Sequence, residues 1–323
     1  MFKQHPRGLI VAFFTNMGER FGFYTMMAIL VLFLQAKYGL SADKAGSIYS
    51  WFYFAIYAMA LAGGMLADAT KKYKTVILVG QIVMFAGYAM LALPGLPLSL
   101  TIAGLFIIAL GNGLFKGNLQ AVVGQLYDDP KYSKFRDSAF MVFYMGINVG
   151  AFFAPFAAKG VRDWWLKANG YLHDGSLPSL CHQQVNGTLK DTSELQILAD
   201  KVSLSGPVTD LSAFAQNYID VFARGYNYAF GIAAIALVIS LVVYLFFNKM
   251  LPNKEKEAKG TKDAQVNTGG SMKAAIAVGI AVAVGAAIYF LANSIDLAFA
   301  FGLFIGFVSW IVQISTKEER PRI

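Results

Sequence analysis

The chain has 323 residues, 57% of them apolar and 14% charged, with a formal net charge of +8 and a mean hydropathy of +0.52. An average globular domain is about 25% charged, so this composition excludes a water-soluble fold and points to a membrane protein. The single cysteine, Cys181, excludes an intrachain disulfide.

A helix that crosses a bilayer needs about 20 mostly apolar residues. In chain order the hydropathy pattern predicts eight spans: Leu9–Leu34, Ile48–Leu66, Val76–Leu93, Leu98–Val123, Phe140–Ala158, Tyr226–Phe247, Ala274–Ala292 and Leu297–Ile314. The first run is too long for a secretory signal and lacks a small-residue cleavage site, so it is expected to remain in the mature protein. Residues 1–158 then hold spans one to five, and 159–225 form a long outer loop. Span six occupies 226–248, a Lys- and Glu-rich linker 249–273, a paired hairpin 274–315 and a tail 316–323. The hairpin spans contain no ionisable residue, which separates them from the first six.

The basic excess follows orientation. With the N-terminus cytoplasmic and every span crossing, 17 of the 27 Lys and Arg residues fall on the cytoplasmic side, as the positive-inside rule requires. Nucleic acid is a poor reading of the same charge. The 159–225 segment mixes Trp164 and Trp165, expected at the membrane interface, with turn residues. Its stretch SLSGPVTDLSAFAQNYIDVF suggests a short amphipathic helix. Cys181, in that loop, is expected to serve as a topology marker.

Glu19, Arg20 and Lys116 lie deep inside predicted spans. Each such charge costs about 2.5–3.5 kcal/mol on insertion scales and needs a partner or a wet cavity. One reading is a structural salt bridge that pins span one to span four. Helical spacing also supports a cavity, because residues three or four apart share a face. Asn16, Arg20 and Tyr24 form one stripe, with Glu19 and Phe23 beside it. Asn112, Lys116 and Gln120 line up on span four, Tyr144 and Asn148 on span five, and Tyr53 and Tyr57 on span two. Glycines 104, 111, 113, 117 and 124 on span four let neighbouring backbones approach closely. One carboxylate against two cations leaves the cluster at +1, which invites an anionic or zwitterionic solute held by Arg20 and Lys116, with Tyr24, Tyr57 and Asn148 as neutral donors and acceptors.

An enzyme is not expected. The sequence holds no H-E-x-x-H, no G-x-S-x-G and no Cys/His cluster with metal-ligand spacing, and His5, His173 and His182 all lie outside the predicted spans. No cofactor or metal is expected. The NGT at Asn186 matches a glycosylation sequon by pattern alone.

Four motifs, in order and on successive spans, resemble one family. NMGERFGFY (Asn16–Tyr24) resembles the E-x-x-E-R-F-x-Y-Y signature on the first helix of the proton-dependent oligopeptide transporters (POT/PTR), a branch of the major facilitator superfamily. YAMALAGGMLAD (Tyr57–Asp68) resembles that family's second helix and following loop, GNGLFKGN (Gly111–Asn118) its fourth-helix lysine motif, and FYMGINVG (Phe143–Gly150) its F-Y-x-x-I-N-x-G signature. The hairpin after span six resembles the insertion of bacterial members. The resemblance implies an all-α membrane fold: the six-helix N-terminal bundle plus the accessory hairpin, in a multi-pass protein of the bacterial inner membrane.

It also implies roles. Arg20 and Lys116 would meet the peptide carboxylate or the proton-linked salt bridge, and Glu19 would titrate. Tyr24 and Tyr57 would line the peptide site, and Asn148 would hydrogen-bond the peptide. Expected partners are di- and tripeptides, protons, lipid, and a second half-transporter. Two positions depart from the signature: Asn16 replaces its first Glu, removing one titratable site, and Phe23 replaces its first closing Tyr. The chain stops at TKEERPRI, which resembles the lead-in to the family's seventh core helix. It is therefore expected to be a truncated product, an expressed fragment or one piece of a split transporter. The rival functions are transport of another anionic or zwitterionic solute, such as nitrate, on the same fold, and a transport-inactive truncated fragment.

Overall fold

The structure, a computed structural model, describes residues 4–252. These form α1 (Gly8–Tyr38), α2 (Ala42–Thr70), α3 (Tyr73–Ala92), α4 (Leu98–Gln125), α5 (Arg136–Ala168), α6 (Leu177–Val185), α7 (Ser193–Val202) and α8 (Leu211–Phe247). α1 to α5 and α8 are the six helices long and apolar enough to cross a membrane among the described residues. The expected hairpin spans, most of the linker before them and the tail lie outside the described residues.

The helix ends have local causes. α1 stops where Gly39 adopts a left-handed φ of 62° and its N–H donates to the Gln35 carbonyl at 2.9 Å, the usual glycine cap. α2 begins at Ser41, whose hydroxyl accepts from the Lys44 amide, an N-cap of the ordinary kind. α1 packs on α5 and α8, α4 packs on α2 and α3, and α3 meets α8. Exchanging α1–α2–α3 with α4–α5–α8 preserves this pattern, as expected of the three-plus-three repeats of facilitator halves.

The crossings are close because they use glycine. A methyl group on Gly63 of α2 would overlap the Gly113 carbonyl of α4, and one on Gly113 would overlap Met59. Asn118 tightens this contact by donating to the Gly63 carbonyl at 3.0 Å. Gly80 of α3 and Gly111 of α4 are opposed in the same way. Gly117 differs from the sequence expectation, since nothing lies within 4 Å of where its Cβ would stand.

Residues 159–225 are far more helical than a loop. α5 runs on to Ala168, and α8 starts at Leu211, where the Asp210 carboxylate accepts from the amides of Ser212 and Ala213 at 3.0 Å each. The predicted short amphipathic helix is thus the head of α8. Lys159, Arg162, Asp163 and Lys167 on α5, and Asp220 and Arg224 on α8, end the hydropathic run without ending the helix. At about 1.5 Å per residue, the 37 residues of α8 span roughly 55 Å, well beyond a hydrocarbon core of about 30 Å.

The protruding ends carry a small cap. Leu177, Cys181, Leu195, Ala199 and Val202 are buried there. The cap is stapled by Leu172 N–H to the Val202 carbonyl at 2.8 Å and Leu204 N–H to the Gly170 carbonyl at 2.9 Å. His182 Nε2 lies 2.8 Å from the Ala36 carbonyl of α1. Trp165 is packed inward, its indole N–H donating to the Val221 carbonyl at 3.1 Å, whereas Trp164 is exposed, so only Trp164 has the exposure that an interface anchor needs.

Two predictions follow from packing. Gly113→Leu should lower the detergent melting temperature by the equivalent of about 2 kcal/mol or more through overpacking, while Gly117→Leu should stay within about 0.5 kcal/mol of the parent; equal effects would refute the α2–α4 crossing. Burial of Cys181 pushes its thiol up to about 12, so it should resist a maleimide until the protein is denatured. Rapid labelling of the native protein would contradict the cap, and Cys181 is correspondingly a poor topology marker.

Candidate substrate site

Glu19 and Arg20 are neighbours on α1, and side chains one residue apart normally diverge by about 100° around a helix. Here the guanidinium folds back on the carboxylate. Arg20 Nε donates to Glu19 Oε2 at 2.5 Å and Nη2 to Oε1 at 2.7 Å, the bidentate geometry that makes Arg–carboxylate pairs strong. Glu19 is fully buried and Arg20 3% exposed. Asn112 of α4 donates to Glu19 Oε1 at 2.9 Å, and Phe23 places its ring 4.7 Å from the guanidinium carbon. The pair therefore has partners from two helices and an aromatic face.

Lys116 stands one turn beyond Asn112 on α4. It is half-buried, and its ammonium sits 5.5 Å from the ring centre of Tyr57 on α2. It lies within electrostatic range of both Arg20 and Glu19, yet among the described residues no carboxylate forms an ion pair with it. Tyr57 is 54% exposed, and its hydroxyl is 3.3 Å from that of Tyr53. Tyr24 is half-buried beside Phe23 and within electrostatic range of Tyr57. Helices α1, α2 and α4 thus bring five of the six sequence-chosen residues into one electrostatic neighbourhood.

Asn148 is the exception. α5 leans on α1 through Gly146, against Phe13, and Gly150, against Met17 and Phe21. At about 100° per residue, positions 144 and 148 lie some 160° away from that contact. Tyr144 and Asn148 are accordingly exposed, and Asn148 makes no hydrogen bond to the α1 pair. Tyr53 and Tyr57 of α2 are exposed as well, so the α2 and α5 stripes both present open faces, while the α1 and α4 residues carry the buried contacts.

The charge arithmetic also changes. Arg20 enters the site already neutralised by Glu19, so the uncompensated +1 resides on Lys116. Asn16, standing where the signature has its first Glu, is 3% exposed, and its Nδ2 has no hydrogen-bond partner among the described residues.

Sequence reasoning missed a second polar layer. Tyr88 of α3 is fully buried within electrostatic range of Glu19 and Arg20. Behind the pair, Gln81 Nε2 donates to Ser240 Oγ at 2.9 Å, and Ser240 in turn donates to the Thr15 carbonyl at 2.6 Å, joining α3, α8 and α1. The available signal was a lone polar residue inside an apolar run, such as Gln81 in VILVGQIVMF, which a membrane span tolerates only with a partner.

The model of the POT family matches residues 73–284. The chain is 38% identical over 164 residues to the dipeptide and tripeptide permease A of Cronobacter turicensis, covering 50% of this chain and 32% of that protein. It is 30% identical over 328 residues to the uncharacterized transporter YclF of Bacillus subtilis, covering 98% of this chain and 53% of that one. The fold superposes on the crystal structure of a POT family transporter in complex with a thioalcohol-conjugated peptide, with a TM-score of 0.58, 25% identity, and coverage of 99% of this chain and 56% of the other. Against these relatives the chain spans between about a third and a little over half of their length. A multi-pass all-α membrane bundle of the major-facilitator type, this chain belongs to the POT family.

Proposed function

We propose that this chain supplies one wall of a site for di- and tripeptides, moved by alternating access and coupled to protons. The observation that carries the reading is Lys116: a half-buried ammonium with no carboxylate in an ion pair with it among the described residues, next to a tyrosine-lined exposed face. Such a cation attracts the carboxylate end of a zwitterionic guest.

Arg20 joins by exchange. A proton reaching Glu19 neutralises the carboxylate and frees the guanidinium fork, and a guest carboxylate can then take the two hydrogen bonds that Glu19 gave up. Proton and carboxylate enter together, so the net charge of the cluster stays at +1. That balance is a physical basis for coupling with Glu19 alone, despite Asn16 at the other signature position. Tyr24 and Tyr57 supply apolar area and hydroxyl groups beside the two cations. Asn148, on the exposed face of α5, would meet the peptide from a second direction.

The likeness to the dipeptide and tripeptide permease A and to a peptide-bound POT transporter supports the substrate class. The proposed orientation, N-terminus inside, rests on convergence of basic ends. His5 Nδ1 meets the Tyr127 hydroxyl at 2.8 Å, and Lys74 donates to the Leu251 carbonyl at 3.2 Å. The N-terminus, the α2–α3 and α4–α5 connections and the end of α8 therefore share one side, which the positive-inside rule assigns to the cytoplasm.

In proteoliposomes, labelled dipeptide uptake should be competed by di- and tripeptides and not by nitrate. Lys116→Ala should reduce it by about tenfold or more, the size expected for losing a hydrogen bond to a charged group, with Lys116→Arg retaining part of it. Uptake competed by nitrate, or unchanged in Lys116→Ala, refutes the reading. Glu19→Gln should spare peptide counterflow while abolishing gradient-driven uptake; persistence of gradient-driven uptake rules Glu19 out as the coupling group. For orientation, a cysteine at the exposed position Lys190 in a Cys181→Ala background should label from outside intact spheroplasts. Labelling only after lysis inverts the topology.

A further inference from the structure

Lys37, in the last turn of α1, is far from the α1–α4 site and has no role in it. A lysine at the end of an apolar helix ordinarily extends its ammonium into water. This one is folded inward, with its Nζ sealed from solvent and without a hydrogen-bond partner among the described residues. The rings of Phe33 and Tyr38 lie 5.3 and 5.2 Å from it. Aromatic faces offset part of the charge but accept none of its three N–H groups in the ordinary sense.

Lys37 is among the residues that line a pocket of about 460 Å³ formed by α1, the Pro94–Leu96 turn and α8. Its shape is set by the protein. The Tyr38 hydroxyl donates to the Leu96 carbonyl at 2.9 Å, and Asn227 Nδ2 donates to the Leu91 carbonyl at 2.6 Å. Arg224 and Asp220 are exposed at the rim, so the pocket carries two cations against one carboxylate. Its depth in the membrane is also fixed. The turn between α3 and α4 joins two spans through residues 93–97, and Lys37 and Tyr38 close α1 at the same level, so the pocket lies at the boundary where headgroups begin.

We propose that this pocket binds a phosphoryl group carrying a single negative charge, with Lys37 turning its flexible side chain to bring the ammonium into the pocket and donate to the oxygens, Arg224 closing over it and Asp220 limiting the charge it accepts. A membrane phosphodiester and a soluble phosphate present the same chemistry, and the depth of the pocket favours the lipid headgroup.

Native mass spectrometry of the detergent-purified chain with added phosphatidylglycerol, together with melting temperatures in phosphatidylglycerol or inorganic phosphate, tests this. Lys37→Met should retain about tenfold less phosphatidylglycerol, as expected on losing a charge-assisted hydrogen bond, and Lys37→Arg should retain most of it. Without lipid, Lys37→Met should melt no lower than the parent, because it removes a buried charge that lacks an acceptor. Protection by inorganic phosphate and not by lipid, lost in Lys37→Met, makes a soluble anion the occupant. Equal lipid retention in both proteins with no phosphate protection overturns the proposal, as does a lower melting temperature of lipid-free Lys37→Met.

Discussion

A guanidinium and a carboxylate sealed side by side within a membrane helix are costly, because each loses several kcal/mol of hydration. That cost is tolerated only with good geometry and further hydrogen bonds, and the Glu19–Arg20 pair has both. The geometry depends in turn on α4 standing close enough for Asn112 to reach Glu19, while the glycine crossings hold α4 against α2 and α3. Removing one member of such a pair leaves an uncompensated buried charge, typically a loss of about 3–5 kcal/mol. The bundle is therefore built around a pair in which neither charge can stay buried without a counter-charge.

That constraint assigns different duties to the two cations. Arg20 is reserved by Glu19 and becomes available only when Glu19 is neutralised. Lys116, a half-buried ammonium over the Tyr57 ring, is available at once. In the proposed function this sets an order, with Lys116 attracting the guest carboxylate and proton arrival releasing Arg20 to complete the grip. The Gln81–Ser240–Thr15 chain ties α3, α8 and α1 together.

The spans were legible because an apolar run of membrane length has few other meanings, and the first six of the eight expected are long apolar helices in that order among the described residues. The site was legible because a charge in such a run demands a partner, which led to Glu19, Arg20 and Lys116. Spacing could not give direction or extent. Tyr144 and Asn148 form a valid stripe on α5, but which side of α5 meets α1 is decided by Gly146 and Gly150, and spacing within one helix carries no information about its neighbour. The reach of α5 and α8 beyond the membrane was hidden because hydropathy ends where the bilayer ends, while Asp210, an N-cap, marked the true start of α8. Arg20's engagement with its own neighbour ran against the helical expectation that adjacent side chains diverge.

The central claim is that Glu19 surrenders Arg20 to a guest carboxylate by taking up a proton. Proton uptake on dipeptide binding, measured with a pH indicator in weakly buffered detergent solution, tests it most directly. The account predicts about one proton taken up per dipeptide bound and none in Glu19→Gln. Binding without proton uptake, or the same uptake in Glu19→Gln, would contradict it.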